Sequence, residues 1–170
     1  MMNFRVINDE EVYERLSVRI STTETMSSEE IQAQCPRCQQ PCPRPEYGHR
    51  TVCATCSKTR RKVFLFCWAC RREWHELAEE TSCSLPGCEL RAALLSTKTI
   101  THHNTSVDGC PFFRACPSCK TLLTHTGQGC KNIKCPVCNT WLCFRCLKTG
   151  ICHGVCRTVD NKASLRALNV

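Results

Sequence analysis

Residues 116–146 read CPSCKTLLTHTGQGCKNIKCPVCNTWLCFRC, and this stretch contains three Cys-x-x-Cys pairs. Two residues between cysteines let both sulfurs reach one metal ion from a tight turn. Across the chain, sixteen of the nineteen cysteines fall into eight close pairs, arranged as two copies of the same order. Each copy has three Cys-x-x-Cys pairs and one wider pair. Each copy therefore supplies eight thiolates, enough for two tetrahedral zinc sites.

Joining consecutive pairs along the chain gives the predicted ligand sets, which together hold about four Zn²⁺ ions. Interleaved pairing would use the same residues, and the spacing alone does not distinguish the two. The candidate ligands, in chain order, are Cys35, Cys38, Cys53, Cys56, Cys67, Cys70, Cys83, Cys88, Cys116, Cys119, Cys135, Cys138, Cys143, Cys146, Cys152 and Cys156.

Two histidines compete with cysteines for these positions. His75 follows the third pair and could replace a cysteine of the fourth, while His153 lies inside the last pair and could replace either member. We favour the cysteines, because the two copies then match pair for pair. We interpret His102 and His103 as exposed linker residues.

The same cysteines could form disulfides, but the rest of the sequence favours metal. The first sixteen residues carry acids where a signal peptide needs an apolar run, and no stretch is long enough to span a membrane. We therefore expect a cytoplasmic, reducing location without a membrane partner, where cysteine pairs are typical of metal sites. The formal net charge is +8 with neutral cysteines. Sixteen thiolates would add −16 and about four Zn²⁺ ions +8, which brings the total near zero, so we expect no nucleic-acid partner.

The cysteine order divides the chain into five segments. Asn8 can cap a short helix over residues 9–16, and Val18 and Ile20 alternate with polar neighbours as in a strand. We expect strands at residues 63–66 and 140–142, a helical turn at 90–95 and a short exposed helix at 161–168. The predicted segments are an N-terminal tail 1–34, a zinc module 35–88, a linker 89–109, a second zinc module 110–156 and a C-terminal tail 157–170.

Modules of about fifty residues bury too little apolar surface to fold alone. A structural zinc site contributes on the order of 10 kcal/mol of folding free energy. We therefore predict a small, zinc-stabilised α+β/irregular fold, built as two tandem bi-zinc modules with short β-hairpins and long loops.

Three cysteines remain outside the pairs. Cys42 and Cys110 lie beside prolines in predicted loops, and we interpret them as packed or spare thiols. Cys130 differs, because the equivalent position in the first module, five residues before Cys53, is Gly48. The second module therefore carries a cysteine that its zinc count does not need.

The neighbours of Cys130 suit a reactive thiol. Glycines precede it, which keeps the sulfur accessible, and Lys131 and Lys134 provide positive charge that favours the thiolate. The chemistry of this segment alone fits either a nucleophile or an inert surface thiol.

The pattern CPSC-x10-CKNIKCPVC-x4-CFRC resembles the RING-between-RING ubiquitin ligases. The resemblance covers about residues 35–156: the first module resembles their in-between-RING domain and the second their catalytic second RING. It implies consecutive ligand pairing. It also implies that Cys130 accepts ubiquitin from a conjugating enzyme as a thioester and passes it to a lysine of a protein substrate. Ubiquitin, the conjugating enzyme and that substrate are the implied partners.

The sequence departs from the family pattern in three ways. Many members place a histidine base two residues after the nucleophile, whereas Asn132 stands here and cannot take a proton near neutral pH. His125 would replace that base only if the loop folded back. The in-between-RING pattern usually includes a histidine, which the cysteines here make unnecessary. Residues 1–34 offer none of the eight ligands of the family's first RING. The second hypothesis is therefore a non-catalytic zinc-binding adaptor for ubiquitin, a conjugating enzyme or another ligase.

Overall fold

The computed structural model describes residues 32–75 and 80–168. These residues form two compact units, which we call the first unit (up to residue 92) and the second unit (from residue 93). The helix and strand predicted within residues 9–20 lie outside the described residues. None of the described helices is long and apolar enough to cross a membrane.

Secondary structure is short throughout the described residues. Strand β4 ends at the first cysteine of CWAC (residues 67–70) and β8 at the first cysteine of CFRC (residues 143–146), both close to their predicted positions. Helices α2 and α3 occupy the predicted helical segments. In chain order the elements are β1 Gln32–Gln34, β2 Pro41–Pro43, β3 Arg50–Val52, α1 Ala54–Arg60, β4 Leu65–Cys67, α2 Cys88–Leu95, β5 Phe113–Ala115, β6 Leu122–Thr124, β7 Asn132–Lys134, β8 Trp141–Cys143 and α3 Lys162–Ala167.

The strands pair as four separate antiparallel ribbons, β1–β2, β3–β4, β5–β6 and β7–β8. Each strand has three residues, and its middle residue is buried. In the first unit, Thr51 faces Phe66 across β3–β4; in the second, Ile133 faces Leu142 across β7–β8. Because successive side chains point to opposite faces, each ribbon turns one central pair inward. Such small ribbons need support from outside the sheet.

Five of the six Cys-x-x-Cys pairs adopt the same turn. The residue after the second cysteine has a left-handed backbone, with φ between 56° and 64°. Its amide donates to the carbonyl of the first cysteine at 2.8 to 3.0 Å, and the first cysteine's own amide donates to the carbonyl five residues on. The sixth pair instead opens α1, with Cys53 as its N-cap residue. The left-handed residues are Gln39, Arg71, Lys120, Asn139 and Leu147.

The hydrophobic cores of the two units differ in composition. The second unit packs six hydrocarbon side chains around its buried sulfurs: Ile100, Val107, Leu123, Ile133, Leu142 and Phe144. The first unit has two smaller clusters, one of which consists of Cys67, Cys70, Trp74 and Cys88. Sulfur therefore replaces much of the hydrocarbon core. The predicted zinc-stabilised, largely irregular fold is confirmed.

Candidate zinc centres and an exposed thiol

The cysteines gather in four tetrads, which we number in chain order. Within each tetrad all four sulfurs lie within 4.8 Å of one another. The tetrads are Cys35, Cys38, Cys53 and Cys56; Cys67, Cys70, Cys83 and Cys88; Cys116, Cys119, Cys135 and Cys138; and Cys143, Cys146, Cys152 and Cys156. They follow the order of the pairs along the chain. His75 and His153 belong to none of them, and both are exposed.

The sulfur spacing fits tetrahedral zinc. A zinc–sulfur bond of about 2.3 Å places neighbouring sulfurs of a tetrahedral site about 3.8 Å apart. Measured pairs span 3.5 Å, between Cys38 and Cys53, to 3.9 Å, between Cys70 and Cys83. In the third and fourth tetrads, pairs lie 3.6 to 3.7 Å apart. All nineteen cysteines are free of disulfides. The four tetrads are therefore positioned to bind four zinc ions.

The electrostatics of the third tetrad also suit a cation. Cys138 Sγ lies 3.3 Å from the Thr140 hydroxyl oxygen, and this contact lowers the pKa of Cys138 to about 6. Burial, reinforced by neighbouring sulfurs, instead raises the pKa of Cys116 to about 12. Cys138 therefore ionises readily, whereas Cys116 resists ionisation. A bound zinc ion would favour the thiolate of both, because zinc binds the thiolate form and neutralises its charge.

The three spare cysteines differ in access. Cys42 lies in β2 and not in a loop, and burial together with Cys53 raises the pKa of its thiol to about 11. Cys110 is fully buried, with its sulfur 3.8 Å from the Thr158 hydroxyl oxygen. Among all nineteen cysteines, each of which lies in the described residues, Cys130 alone is exposed.

Cys130 lies in the loop between β6 and β7, residues 125–131, which we call the Cys130 loop. His125 opens this loop, is buried, and uses both ring nitrogens within it. Its Nδ1 accepts the Gly127 amide hydrogen at 3.0 Å, and its Nε2 lies 3.1 Å from the Cys130 carbonyl oxygen. Because a backbone amide only donates and a carbonyl only accepts, the ring is the neutral tautomer with its proton on Nε2. His125 is therefore a structural residue of the loop.

Asn132 fixes the other end of the Cys130 loop. Its backbone amide donates to Cys130 Sγ at 3.4 Å. Its side chain binds the backbone of Cys152 twice, accepting from the amide at 3.0 Å and donating to the carbonyl at 3.3 Å. The Lys131 ammonium donates to the carbonyl of Gly154 in the same segment. Both side chains thus join the loop to the fourth tetrad.

Residues 102–106 pack against the outer side of the loop. Gly127 has φ +90°. A Cβ atom built on Gly127 would lie only 2.0 Å from Cδ2 of the His102 ring, so the ring occupies the space of a side chain there. The Ser106 hydroxyl donates to the Gly129 carbonyl at 3.3 Å, while the Arg145 guanidinium donates to the Ser106 carbonyl at 3.1 Å. This support was not predicted from the sequence, since nothing in residues 102–106 marks a partner for a distant loop.

A buried polar cluster of the second unit also lacked a sequence signal. Arg114 is fully buried and donates to the Asn161 side-chain oxygen at 3.1 Å and to the Arg145 carbonyl at 3.2 Å. Asn161 donates in turn to the carbonyls of Leu94 and Phe113 at 3.1 and 3.0 Å. The cluster connects the residue before α3 to the core.

The chain is similar to E3 ubiquitin-protein ligase RNF217 from three vertebrates. The Homo sapiens protein is 27% identical over 124 residues, which cover 66% of this chain and 20% of the relative. The Xenopus laevis protein is 26% identical over 123 residues, which cover 72% and 31%. The Mus musculus protein is 27% identical over 124 residues, which cover 66% and 21%.

This similarity is weak homology, and no protein-family model matches the chain. The matched part spans between a fifth and a third of the length of these relatives. The four tetrads fit zinc, and the similarity is to proteins named E3 ubiquitin-protein ligase.

Proposed function

We propose that this chain is a ubiquitin-protein ligase of the RING-between-RING type, with Cys130 as its ubiquitin-carrying nucleophile. The observation that carries the proposal is the exposure of Cys130, the one cysteine at the surface of a chain whose tetrads engage sixteen others. The relatives are E3 ubiquitin-protein ligases, which supports ubiquitin, a conjugating enzyme and a protein substrate as partners.

The proposed reaction has two acyl transfers. The Cys130 thiolate attacks the thioester carbon between ubiquitin and the conjugating enzyme. A new carbon–sulfur bond forms, the old one breaks, and the conjugating enzyme's cysteine leaves as a thiolate. A substrate lysine amine then attacks the new thioester, an amide forms, and the Cys130 thiol is released. Splitting the transfer in this way is nucleophilic catalysis. The backbone amide of Asn132 donates to Cys130 Sγ and is suited to stabilise the thiolate.

We further propose that residues 35–88 act as an in-between-RING-like module and residues 110–156 as the second-RING-like catalytic module, in a cytoplasmic protein. The sixteen tetrad cysteines are the residues that would bind zinc, and the bound ions would supply the rigidity that holds the Cys130 loop.

A non-catalytic adaptor is the second candidate, and one observation favours it. Neither His125 nor Asn132 is free to take a proton from an incoming amine, because the polar side-chain atoms of both are hydrogen-bonded to backbone groups. In that function the chain would bind ubiquitin, a conjugating enzyme or another ligase without forming a thioester.

An adduct assay separates the two functions. Zinc-loaded protein is incubated with activating enzyme, a panel of conjugating enzymes and ubiquitin, and the products are resolved with and without thiol reductant. The ligase proposal expects a reductant-sensitive adduct that Cys130→Ser converts to a resistant ester and Cys130→Ala removes. Cys42→Ala is the matched control, since it removes a spare but buried thiol. Loss of the adduct in Cys42→Ala alone, or no adduct with any conjugating enzyme, would refute the ligase proposal.

A further inference from the structure

The strongest unassigned polar group near the proposed nucleophile is His125, one of the few buried polar side chains in the described residues. Its ring spans the Cys130 loop, since one nitrogen binds the amide of Gly127 and the other the carbonyl of Cys130. The ring packs beside Phe144, with centroids 5.2 Å apart and planes inclined by 54°. The imidazole therefore satisfies two backbone groups of the loop, the Gly127 amide and the Cys130 carbonyl.

We propose that His125 is a positioning residue that sets the geometry of Cys130 through the hydrogen bond from its Nε2–H to the Cys130 carbonyl. This inference rests on the proposed function, because it concerns the rate at which that thiol accepts ubiquitin. In this proposal His125 acts through the backbone carbonyl of Cys130 and not through direct contact with the sulfur.

The surrounding contacts explain why this one bond matters. The neighbouring residues are already anchored: the Lys131 carbonyl accepts from the Phe144 amide at 2.7 Å, and the Asn132 side chain binds Cys152. On the other side, the Gly129 carbonyl accepts from Ser106. The Cys130 carbonyl is fixed by His125. The Asn132 amide belongs to the peptide group that the Phe144 amide holds, so it stays in place. Loss of the bond from His125 would free the backbone of Cys130 and let its Sγ move away from the Asn132 amide, from which it now lies 3.4 Å.

The two nitrogens of His125 can be replaced one at a time. His125→Gln can place an amide N–H near the position of Nε2 and so keep a donor for the Cys130 carbonyl. His125→Asn is shorter and can place an oxygen near Nδ1, which keeps an acceptor for the Gly127 amide but loses the link to Cys130. His125→Ala removes both links. His103→Ala is the matched control, because His103 is exposed and has one contact, 4.0 Å from Asp108.

The measurement is the single-turnover rate of thioester formation on Cys130, at saturating and subsaturating conjugating enzyme–ubiquitin, with the zinc content of each variant. We expect His125→Ala and His125→Asn to slow the saturating rate by at least about tenfold, because a small displacement of a reacting atom has an effect of this size. We expect His125→Gln to stay within about threefold of wild type, with zinc content unchanged in all variants. His103→Ala should match wild type.

The outcomes separate this inference from the proposed function. A wild-type rate in His125→Ala, or rescue by His125→Asn and not by His125→Gln, overturns the role of His125 and leaves the ligase proposal intact. A wild-type protein that forms no thioester overturns both. If His125→Ala does not fold, the Gln and Asn variants carry the same contrast. Nitrogen NMR of the wild-type ring adds a test without activity: a proton on Nδ1 contradicts the proposal, and a proton on Nε2 supports it.

Discussion

The two units carry the same order of cysteine pairs, but they treat one equivalent position differently. Five residues before the second Cys-x-x-Cys pair, the first unit has Gly48 and the second has Cys130. Gly48 has φ +67°, and a Cβ there would lie 2.2 Å from the Thr81 carbonyl oxygen. Cys130 is exposed. Gly48 is also exposed, but the backbone of Thr81 lies where its side chain would begin, so the first unit has no room for a side chain here and the second carries a cysteine.

The two units also differ in how this loop contacts the chain around the third ligand of the second or fourth tetrad, Cys83 or Cys152. In the first unit, the Thr81 carbonyl accepts from the His49 amide at 2.7 Å, which brings backbone directly onto the loop. In the second, the contact to Cys152 is made by the Asn132 side chain, through two hydrogen bonds to the Cys152 backbone. The first unit thus brings a backbone carbonyl against this position, whereas the second joins the two segments through the Asn132 side chain, which we call the Asn132 spacer.

Zinc removal should have the largest effect on both units. Each structural site contributes on the order of 10 kcal/mol, which exceeds what a small core supplies. We expect a strong chelator to collapse the amide dispersion of the NMR spectrum, and zinc addition to restore it. The first unit should lose structure at lower chelator concentration, because one of its clusters consists of three cysteines and Trp74. A dispersed spectrum without metal would contradict the fold account.

The close approach at Gly48 can be tested against a matched glycine. Gly48 and Gly87 have almost the same φ, +67° and +66°, but no atom lies within 4 Å of a Cβ built on Gly87. Gly87→Ala should lower the free energy of unfolding by about 1 kcal/mol through backbone strain alone. Gly48→Ala should lower it by about 3 kcal/mol or more, because the overlap with Thr81 adds to that strain. Equal effects in chemical denaturation would contradict the close approach of the Thr81 backbone to Gly48.

The polar cluster around Asn161 belongs to the second unit, which has the larger hydrocarbon core. Asn161→Ala should lower the free energy of unfolding by about 2 kcal/mol, because Arg114 and two backbone carbonyls lose buried partners. Lys162→Ala, on the next residue, should change it by less than about 0.5 kcal/mol, since its ammonium pairs with Asp160 at the surface. Thermal unfolding of zinc-loaded protein compares the two; similar shifts would argue against the cluster.

The Asn132 spacer should give the smallest of these effects. Asn132→Ala removes two hydrogen bonds to Cys152 and should lower the free energy of unfolding by about 1 kcal/mol. Zinc should leave the fourth tetrad faster in this variant, as measured with a colorimetric chelator. Asn132→Asp keeps an acceptor for the Cys152 amide and should lie between wild type and Asn132→Ala in stability. Unchanged zinc release in both variants would refute the spacer role.

Sequence reasoning reached the metal chemistry because zinc sites depend on local spacing. The strands before CWAC and CFRC, and the helices near residues 90 and 161, were also predicted within a few residues. The other six strands, β1 to β3 and β5 to β7, were not predicted: each has only three residues, and in β2 Pro41 and Pro43 favour a loop in sequence terms. Proline is compatible with β2 because the sheet has two strands, so each strand keeps an open edge.

Contacts between distant residues could not be predicted in the same way. The His102 ring against Gly127, the Asn132 side chain on Cys152, and Arg114 with Asn161 each join segments separated by more than fifteen residues. Their partners are set by which cysteines share a tetrad, and no local pattern encodes that choice. The burial of His125 follows from the same long-range packing. The sequence thus predicts the ligands and the spare thiol, and the structure adds what holds that thiol.

Native mass spectrometry after brief alkylation tests the account most directly. Zinc-loaded protein is exposed to limiting iodoacetamide, weighed intact, and then digested to locate the label. We expect four zinc ions per chain and one carbamidomethyl group, on Cys130. Fewer than four zinc ions, or a first label on Cys42, Cys110 or a tetrad cysteine, would contradict the division of sulfur between metal sites and one accessible thiol.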